Sequence, residues 1–253
     1  MKTLCKKIKC DILNGRAYKY ETNTFNLVIF IDAVSYTKSG NKSMWAVFST
    51  FVELPPILRS MSENIIFHSS WTGTMADFDI FLKIYNSQID DILKNGVDFQ
   101  GVKYIIKVHM LIADAPARSK ACNTTNFNGK FGCLKCLHPT ISQGQGITIY
   151  PTLDKLKSLQ IIRKNRLLVS TIEPFTESIN LRTNDYYKQQ LAKAISSQKV
   201  YEGIKGPSHL SKWFKIPDAV YLDKMHLCDI GTFKSMFNSF FDPKKSQEEY
   251  YLG

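Results

Sequence analysis

Two aspartates, each at or near the end of an apolar run, are the residues of this sequence best suited to bind a divalent metal. Asp32 lies near the C-terminal end of the run 25–34. Asp114 directly follows the run 104–113, and the small residues after it, 115–117, are expected to form a turn. A carboxylate at the end of a buried strand is costly unless something binds it, and Mg²⁺ is a common partner. Two such carboxylates on neighbouring strands can bridge ions that activate a water or a 3′-hydroxyl against a phosphodiester. The alternative for each acid is an ordinary turn or helix cap.

Cys133 and Cys136, separated by two residues, are candidate zinc ligands. Glycines precede them, and a Cys-x-x-Cys pair provides half of a tetrahedral zinc site. The alternative is a pair of thiols that bind no metal. His138 is too close in sequence to complete the site, and His226 is either a further ligand or a histidine of a turn or the core.

The composition is that of a globular, strongly basic chain. Its 253 residues are 44% hydrophobic, enough for one large domain or two small ones. The net charge of +11 suggests a polyanionic partner, either nucleic acid or an anionic membrane surface. The longest apolar run, 27–31, is far shorter than the roughly 18 residues of a spanning helix. The N-terminus also lacks the apolar segment of a secretory signal, so we expect the cysteines to be reduced.

Before Asp114, the pattern predicts strand, strand, strand, helix, strand. Short β-branched and aromatic runs predict the strands, and helical spacing of apolar residues predicts the helix, which Gly96 ends. The predicted strands are 25–34, 44–52, 64–69 and 102–113, and the helix is 77–95. The first two strands are expected to form an antiparallel hairpin. This is the order of an RNase H-like α/β fold, in which the first and fourth strands lie side by side and their acids meet.

Beyond residue 119 the pattern changes and predicts an insertion into this core. A helix over 185–197, capped by Thr183 or Asn184, and a short strand over 220–222 are expected, followed by an amphipathic run over 230–241. The expected organisation is a basic N-terminal arm (1–24), the first part of the core (25–119), an insertion with the cysteine knuckle and helices (120–206), a return to the core (207–241) and a polar tail (242–253).

Seven motifs, in order from about residue 25 to residue 241, make the chain similar to one known family. They are Asp32 after an apolar strand, Ser43-Met-Trp45 with Glu53-Leu-Pro-Pro56-Ile-Leu-Arg59, Ala113-Asp114-Ala-Pro-Ala-Arg118, Asn128-Gly129-Lys-Phe-Gly132-Cys133-Leu-Lys-Cys136, Arg182-Thr183, Gly203-Ile-Lys-Gly206-Pro-Ser-His-Leu210 and Asp223-Lys-Met225-His226. Together they resemble the transposase of CACTA (En/Spm-type) DNA transposons, of the CACTA–Mirage–Chapaev group. Residues 223–237 also resemble part of the catalytic subunit of the V(D)J recombinase.

The resemblance implies an RNase H-like DDE transposase core that acts in the nucleus on transposon ends and target DNA, with a homo-oligomer as one assembly. Asp32 and Asp114 match the first two catalytic acids, which use Mg²⁺ or Mn²⁺ for cleavage and strand transfer. Cys133 and Cys136 match the family's zinc-binding pair. His226 matches its Met-His motif, which, with Asp223, is placed near the active site.

The sequence also departs from the family pattern. The third acid, a glutamate, and a histidine pair are expected well downstream of His226, and Glu248 and Glu249 in the tail do not match that glutamate. Ala33 replaces the expected glycine after the first acid. The expectation is therefore a C-terminally incomplete fragment, or a decayed or domesticated copy, that is inactive alone. The alternative is a non-catalytic, transposase-derived DNA- or protein-binding module, and a third option is a nuclease of the same fold.

Overall fold

The computed structural model of the chain describes residues 19, 21–37, 42–73, 76–144, 147–151 and 180–245. Most of the predicted basic arm, the basic stretch within 152–179 and the end of the predicted tail lie outside these residues. The chain divides into two compact units. The first, here the sheet unit, comprises Met1–Arg118, Lys212–Phe214 and Ala219–Gly253; the second, the cysteine unit, comprises Ser119–Ser211 and Lys215–Asp218.

The described elements include both strands and helices. In chain order they are β1 (Thr24–Ser35), β2 (Ser43–Phe51), α1 (Pro56–Arg59), a 3₁₀ turn (Ser62–Asn64), β3 (Ile66–Gly73), α2 (Phe78–Asn95), β4 (Val97–Phe99), β5 (Val102–Ala113), α3 (Ala115–Ala121), β6 (Ile141–Gly144), β7 (Ile147–Ile149), α4 (Asn184–Ser197), a 3₁₀ turn (His209–Lys212), β8 (Val220–Leu222), a π-helix (Met225–Phe233), α5 (Lys234–Phe241) and a 3₁₀ turn (Pro243–Lys245).

A mixed sheet forms the centre of the sheet unit, with the strand order β3-β2-β1-β5-β4 and β8 also paired to β5. β1 pairs antiparallel with β2 and parallel with β5, and β5 pairs parallel with β8. The predicted α/β class, the hairpin of the first two strands, and the side-by-side placement of the strands that lead to Asp32 and Asp114 are therefore confirmed. The predicted short strand at 220–222 is also present.

The apolar residues of the central strands form the core of this unit. Ile29, Val47 and Leu111 are fully buried. β1 has a continuous apolar run over 27–31, which is the type of strand that parallel sheets bury on both faces, whereas β5 is buried at Ile106, Leu111 and Ala113. α2 begins after Asp77, whose side chain accepts the amide protons of residues 79 and 80, and it ends at Gly96, whose φ is +71°. The helix prediction for 77–95 is thus confirmed to within one residue.

Several local predictions were wrong. The small residues after Asp114 were expected to form a turn, but they form α3. Alanine favours a helix, and Pro116 is tolerated in the first turn because the amide there has no helical partner. The third strand begins at Ile66 rather than residue 64, since Asn64 ends a 3₁₀ turn. Two further elements were not predicted, namely the separate antiparallel pair β6–β7 within the insertion and the short strand β4.

The cysteine unit contains α4 and a set of tight turns. Thr183 caps α4 by accepting the amide proton of Tyr186 at 3.2 Å, as one of the two predicted caps. A two-residue turn at Glu202 and Gly203 has positive φ at both positions, +44° and +82°, as a type I′ hairpin turn requires. Tyr201 and Ile204 close this turn with two backbone hydrogen bonds of 2.9 Å. None of the helices in the described ranges has the length and apolarity that a membrane span requires.

Candidate functional site

Three aspartates follow the same paired row of the central sheet, one within β1 and one directly after each of β5 and β8. The residues just before them are register partners, Ile31 with Ala113 and Ala113 with Leu222. The acids that come next are Asp32, Asp114 and Asp223. Neighbouring strands are about 4.8 Å apart. The backbone of Asp114 therefore lies one strand spacing from that of Asp32 and one from that of Asp223. Both strand pairings are parallel, so the acids share one edge of the sheet.

Asp32 and Asp114 each use one carboxylate oxygen locally. Oδ1 of Asp32 accepts the amide proton of Ala33 at 2.7 Å, and Oδ1 of Asp114 accepts that of Ala117 at 2.7 Å. Asp114 therefore caps α3, which is the alternative role considered from the sequence. No described residue donates a hydrogen bond to Oδ2 of either acid. Both side chains are half-buried, so each can present Oδ2 to a cation.

Asp223 differs from the other two acids because both of its oxygens accept a hydrogen bond. Oδ1 accepts the amide proton of Met225 at 3.0 Å, and Oδ2 accepts the Nδ1 proton of His226 at 2.6 Å. The hydrogen bond to Asp223 and the charges of Asp32 and Asp114 raise the pKa of His226. The imidazole of His226 is thus oriented by one acid of the row and lies in the electric field of all three. We call these four residues the sheet edge.

The two cysteines lie together on a loop of the cysteine unit. Both are half-buried. The hydrogen bond between the two sulfurs and burial raise the pKa of the Cys136 thiol, whereas the backbone amide of His138 and the charge of Arg182 oppose this shift. An amide that donates to a cysteine sulfur stabilises the thiolate, which is the form that binds a metal. His138 itself directs Nδ1 at the carbonyl of Pro139, at 2.9 Å.

A short antiparallel pairing places Arg182 beside this loop. Leu181 forms a β-bridge with Cys136, and the amide of Arg182 donates to the carbonyl of Lys135 at 2.9 Å. The guanidinium Nη2 donates to the carbonyl of Cys133 at 3.4 Å and to that of Glu202 at 2.9 Å. Arg182 is only 4% exposed. We call Cys133, Cys136 and Arg182 the cysteine loop.

The described residues contain no group of three or more His, Cys, Asp or Glu side chains arranged to hold a metal ion. Each of the two candidate metal sites has two residues that could act as ligands. The carboxylate oxygens of Asp32 and Asp114 match the ligand preference of Mg²⁺ or Mn²⁺, and the sulfurs of Cys133 and Cys136 match that of Zn²⁺. The donor chemistry therefore fits the expected metals at both places, with each site only half supplied by described residues.

A scan against protein-family models finds no match to this chain, and a search of curated proteins finds no significant one.

Two features of these sites were not identified as such from the sequence. Asp223 was predicted to lie near the active site, but not to continue the row of Asp32 and Asp114, because a three-residue strand such as β8 has too weak a pattern to reveal its register. Arg182 was noted only as part of a motif. Its contact with Cys133 joins residues 49 positions apart in sequence, and no local pattern predicts such a pairing.

Proposed function

We propose that this chain is a transposase-derived domain of the DDE type with an RNase H-like fold, which binds DNA and holds Mg²⁺ or Mn²⁺ between Asp32 and Asp114. The observation that carries the proposal is the pairing of Ile31 with Ala113 in the parallel strands β1 and β5, since Asp32 and Asp114 directly follow this last paired row. Because they lie one strand spacing apart and each keeps an oxygen available, one cation can be shared between them.

The bound cation would polarise a phosphodiester and activate a water or 3′-hydroxyl for in-line attack. Asp32 and Asp114 would hold it, and the hydrogen bond from the Ala117 amide fixes one oxygen of Asp114 and leaves the other for the cation. His226, oriented by Asp223, places a proton donor beside the same edge. As an imidazolium, it can donate a hydrogen bond to a phosphate oxygen.

The basic excess supports DNA as the partner and the nucleus as the site of action. Of the 33 basic residues, exposed lysines of the cysteine unit include four on or after α4, namely Lys188, Lys193, Lys199 and Lys205. Lysines contact phosphates without reading sequence, and each contact releases counterions, so binding of this kind weakens steeply as salt rises. The element ends and target DNA of the resembled family are the DNA partners that we propose.

The cysteine loop supplies a structural role in this proposal. Cys133 and Cys136 would hold Zn²⁺ with the remaining positions filled by other ligands, and a closed zinc site of this type stabilises a loop-rich segment that has a small core of its own.

The test is a titration of the purified chain with Mn²⁺. Binding is measured as the decrease in the electron paramagnetic resonance signal of the free ion. We expect saturable binding in the wild type and loss of at least about tenfold in affinity in Asp32→Asn and Asp114→Asn, because each substitution removes a charged oxygen ligand. Asp98→Asn is the matched control, since Asp98 is an exposed acid on β4, at the opposite end of β5. Equal Mn²⁺ binding in all four proteins would refute the metal site.

DNA binding and cleavage are measured on the same four proteins. Mn²⁺-dependent nicking or strand transfer that disappears in Asp32→Asn and Asp114→Asn would establish catalysis. Salt-dependent DNA binding that is equal in all four, with no Mn²⁺ binding, would instead establish the non-catalytic binding module. That second function is favoured by one observation, namely that Asp114 already serves as the cap of α3.

A further inference from the structure

The guanidinium of Arg182 is a buried cation with two unused donors. Its Nε and Nη1 have no hydrogen-bond partner and no solvent contact among the described residues, while Nη2 holds the carbonyls of Cys133 and Glu202. An arginine side chain stays charged in proteins, so burial lowers its pKa without neutralising it. A buried donor without a partner is unfavourable unless something not yet present accepts from it.

The groups that act electrostatically on Arg182 narrow the choice of acceptor. They are Glu202, Cys133, Tyr186 and Cys136. The carboxylate of Glu202 is engaged by the Tyr186 hydroxyl, which donates to Oε2 at 2.7 Å. The contact of Arg182 with Glu202 is through the backbone carbonyl, not the carboxylate. The two sulfurs are therefore the neighbouring groups whose charge changes when a metal binds.

The cysteine pair is already arranged as half of a thiolate site. The sulfurs share a hydrogen bond, and Cys136 also accepts the amide proton of His138 two residues on. When a divalent ion binds, each thiol releases a proton to solvent and each sulfur forms one bond to the ion, so two protons leave per ion. The sulfurs then carry the negative charge that an adjacent N–H donor stabilises.

We propose that Arg182 is the buried charge partner of a Cys133–Cys136 dithiolate and sets the affinity of this pair for a thiophilic divalent ion such as Zn²⁺. Arg182 is a positioning residue: its Nη2 donates to the backbone carbonyl of Cys133, and its Nε and Nη1 remain available to the charge that develops on the sulfurs. The inference rests on the zinc-binding role proposed above, but not on the carboxylates of the sheet edge or on DNA binding.

The test measures Co²⁺ and Zn²⁺ binding by the full chain under reducing conditions, with the Co²⁺–thiolate absorption band and competition by a chromophoric chelator. We expect Arg182→Gln to weaken Zn²⁺ about 10- to 100-fold, the usual effect of losing an outer partner of a metal ligand. Arg182→Lys, which keeps the charge but loses the planar fork, is expected to recover part of that loss.

A pH profile separates the charge role from a purely structural one. Because binding displaces two protons, the logarithm of the Co²⁺ affinity rises with pH until the thiols are ionised, and the pH at which it levels off is the midpoint of this profile. Loss of the Arg182 charge should move that pH midpoint upward in Arg182→Gln, while in Arg182→Lys it stays near the wild type. A merely structural role would weaken binding by the same factor at every pH. Circular dichroism of the metal-free proteins shows whether a variant is folded.

Three results would overturn the inference: equal affinity and pH midpoint in Arg182→Gln and the wild type, equal loss at every pH in both Arg182 variants, or a wild type whose cysteines bind no Co²⁺ or Zn²⁺. The last would also refute the zinc site itself. Mn²⁺ binding at Asp32 and Asp114 is measured separately, so failure at the cysteine loop leaves the proposal for the sheet edge standing, and the converse is also true.

Discussion

The sheet edge and the cysteine loop present two donors each, but the chain positions them in different ways. At the sheet edge, the register of parallel strands sets the spacing of the acids, and many backbone hydrogen bonds share that task. At the cysteine loop, one isolated bridge and the side chain of a single arginine bring the parts together. The sheet edge should therefore tolerate local substitutions, whereas the cysteine loop should be sensitive to them.

The polar groups of the two regions also differ in whether their hydrogen bonds are satisfied without a metal. The acids of the sheet edge are half-buried and partly engaged as caps, so water can solvate them when no cation is bound. Arg182 is buried with unused donors, and solvent cannot satisfy them. On the proposals above, the sheet edge should exist with or without an ion at little cost, whereas the donors of Arg182 should be satisfied only when the sulfurs are charged.

The largest expected effect is that of Gly203→Ala. Gly203 has φ +82°, and a Cβ there would lie 2.3 Å from the carbonyl oxygen of Phe131. Phe131 precedes Cys133 by two residues, so a shift of its backbone would disturb the cysteine loop. The strained φ alone costs about 1–3 kcal/mol for a residue with a side chain, and the backbone clash adds to it. We expect a lower free energy of unfolding of the cysteine unit in urea, and weaker Zn²⁺ binding.

Gly101→Ala is the matched control for this substitution. Gly101, between β4 and β5, has a similar φ of +77°, but a Cβ there would meet nothing within 4 Å. It should show only the cost of the strained φ and leave Zn²⁺ affinity unchanged. Equal losses of stability in the two variants, with Zn²⁺ binding intact in both, would show that the cysteine loop is no more sensitive than the sheet.

The contrast between the two regions also explains which parts could be predicted from sequence. Strand runs, the helix capped by Asp77 and the adjacency of β1 and β5 were predictable, because apolar periodicity and the order of elements determine them locally. α3 was missed since the three small residues after Asp114 suit a turn as well as a helix. Arg182 could not be assigned, because its partners come from a distant segment and its burial depends on tertiary packing.

A smaller effect is expected at Asp114, where capping and metal binding can be separated. Asp114→Ala removes the acceptor for the Ala117 amide and should lower the free energy of unfolding by about 1 kcal/mol, the usual cost of a lost N-cap. Asp114→Asn keeps a capping oxygen and should be close to the wild type in stability. Both variants should lose Mn²⁺ affinity, because neither supplies a carboxylate.

Thermal and urea denaturation of the metal-free proteins measure the difference in stability between the two variants. The Mn²⁺ titration measures their loss of metal affinity. If Asp114→Asn retained wild-type Mn²⁺ affinity, Asp114 would be a helix cap alone, and the sheet edge would lose its metal role while its fold stayed intact.

The smallest effect is a pH dependence in which two histidines of the sheet unit act in opposite directions. Burial lowers the pKa of His68, whose Nε2 lies 2.7 Å from the Ser49 hydroxyl oxygen. The unfolded chain then binds a proton more readily, so stability is lost as pH falls below the ordinary histidine pKa of about 6.5 and toward the folded value. The raised pKa of His226 has the opposite sign: its contribution is present below about pH 6.5 and is lost as pH rises through the folded value.

The free energy of unfolding of the metal-free chain, measured between about pH 5 and pH 8, distinguishes these two contributions. His68→Gln should flatten the acid side of the profile, because the group that resists protonation is gone. His226→Gln should steepen it, because an imidazolium that balances the acids of the sheet edge is gone. Parallel changes in the two variants would mean that His226 does not feel the charges of Asp32, Asp114 and Asp223. The electrostatic coupling of His226 to the three acids would then be refuted, whereas the strand register on which the proposed cation site rests would be unaffected.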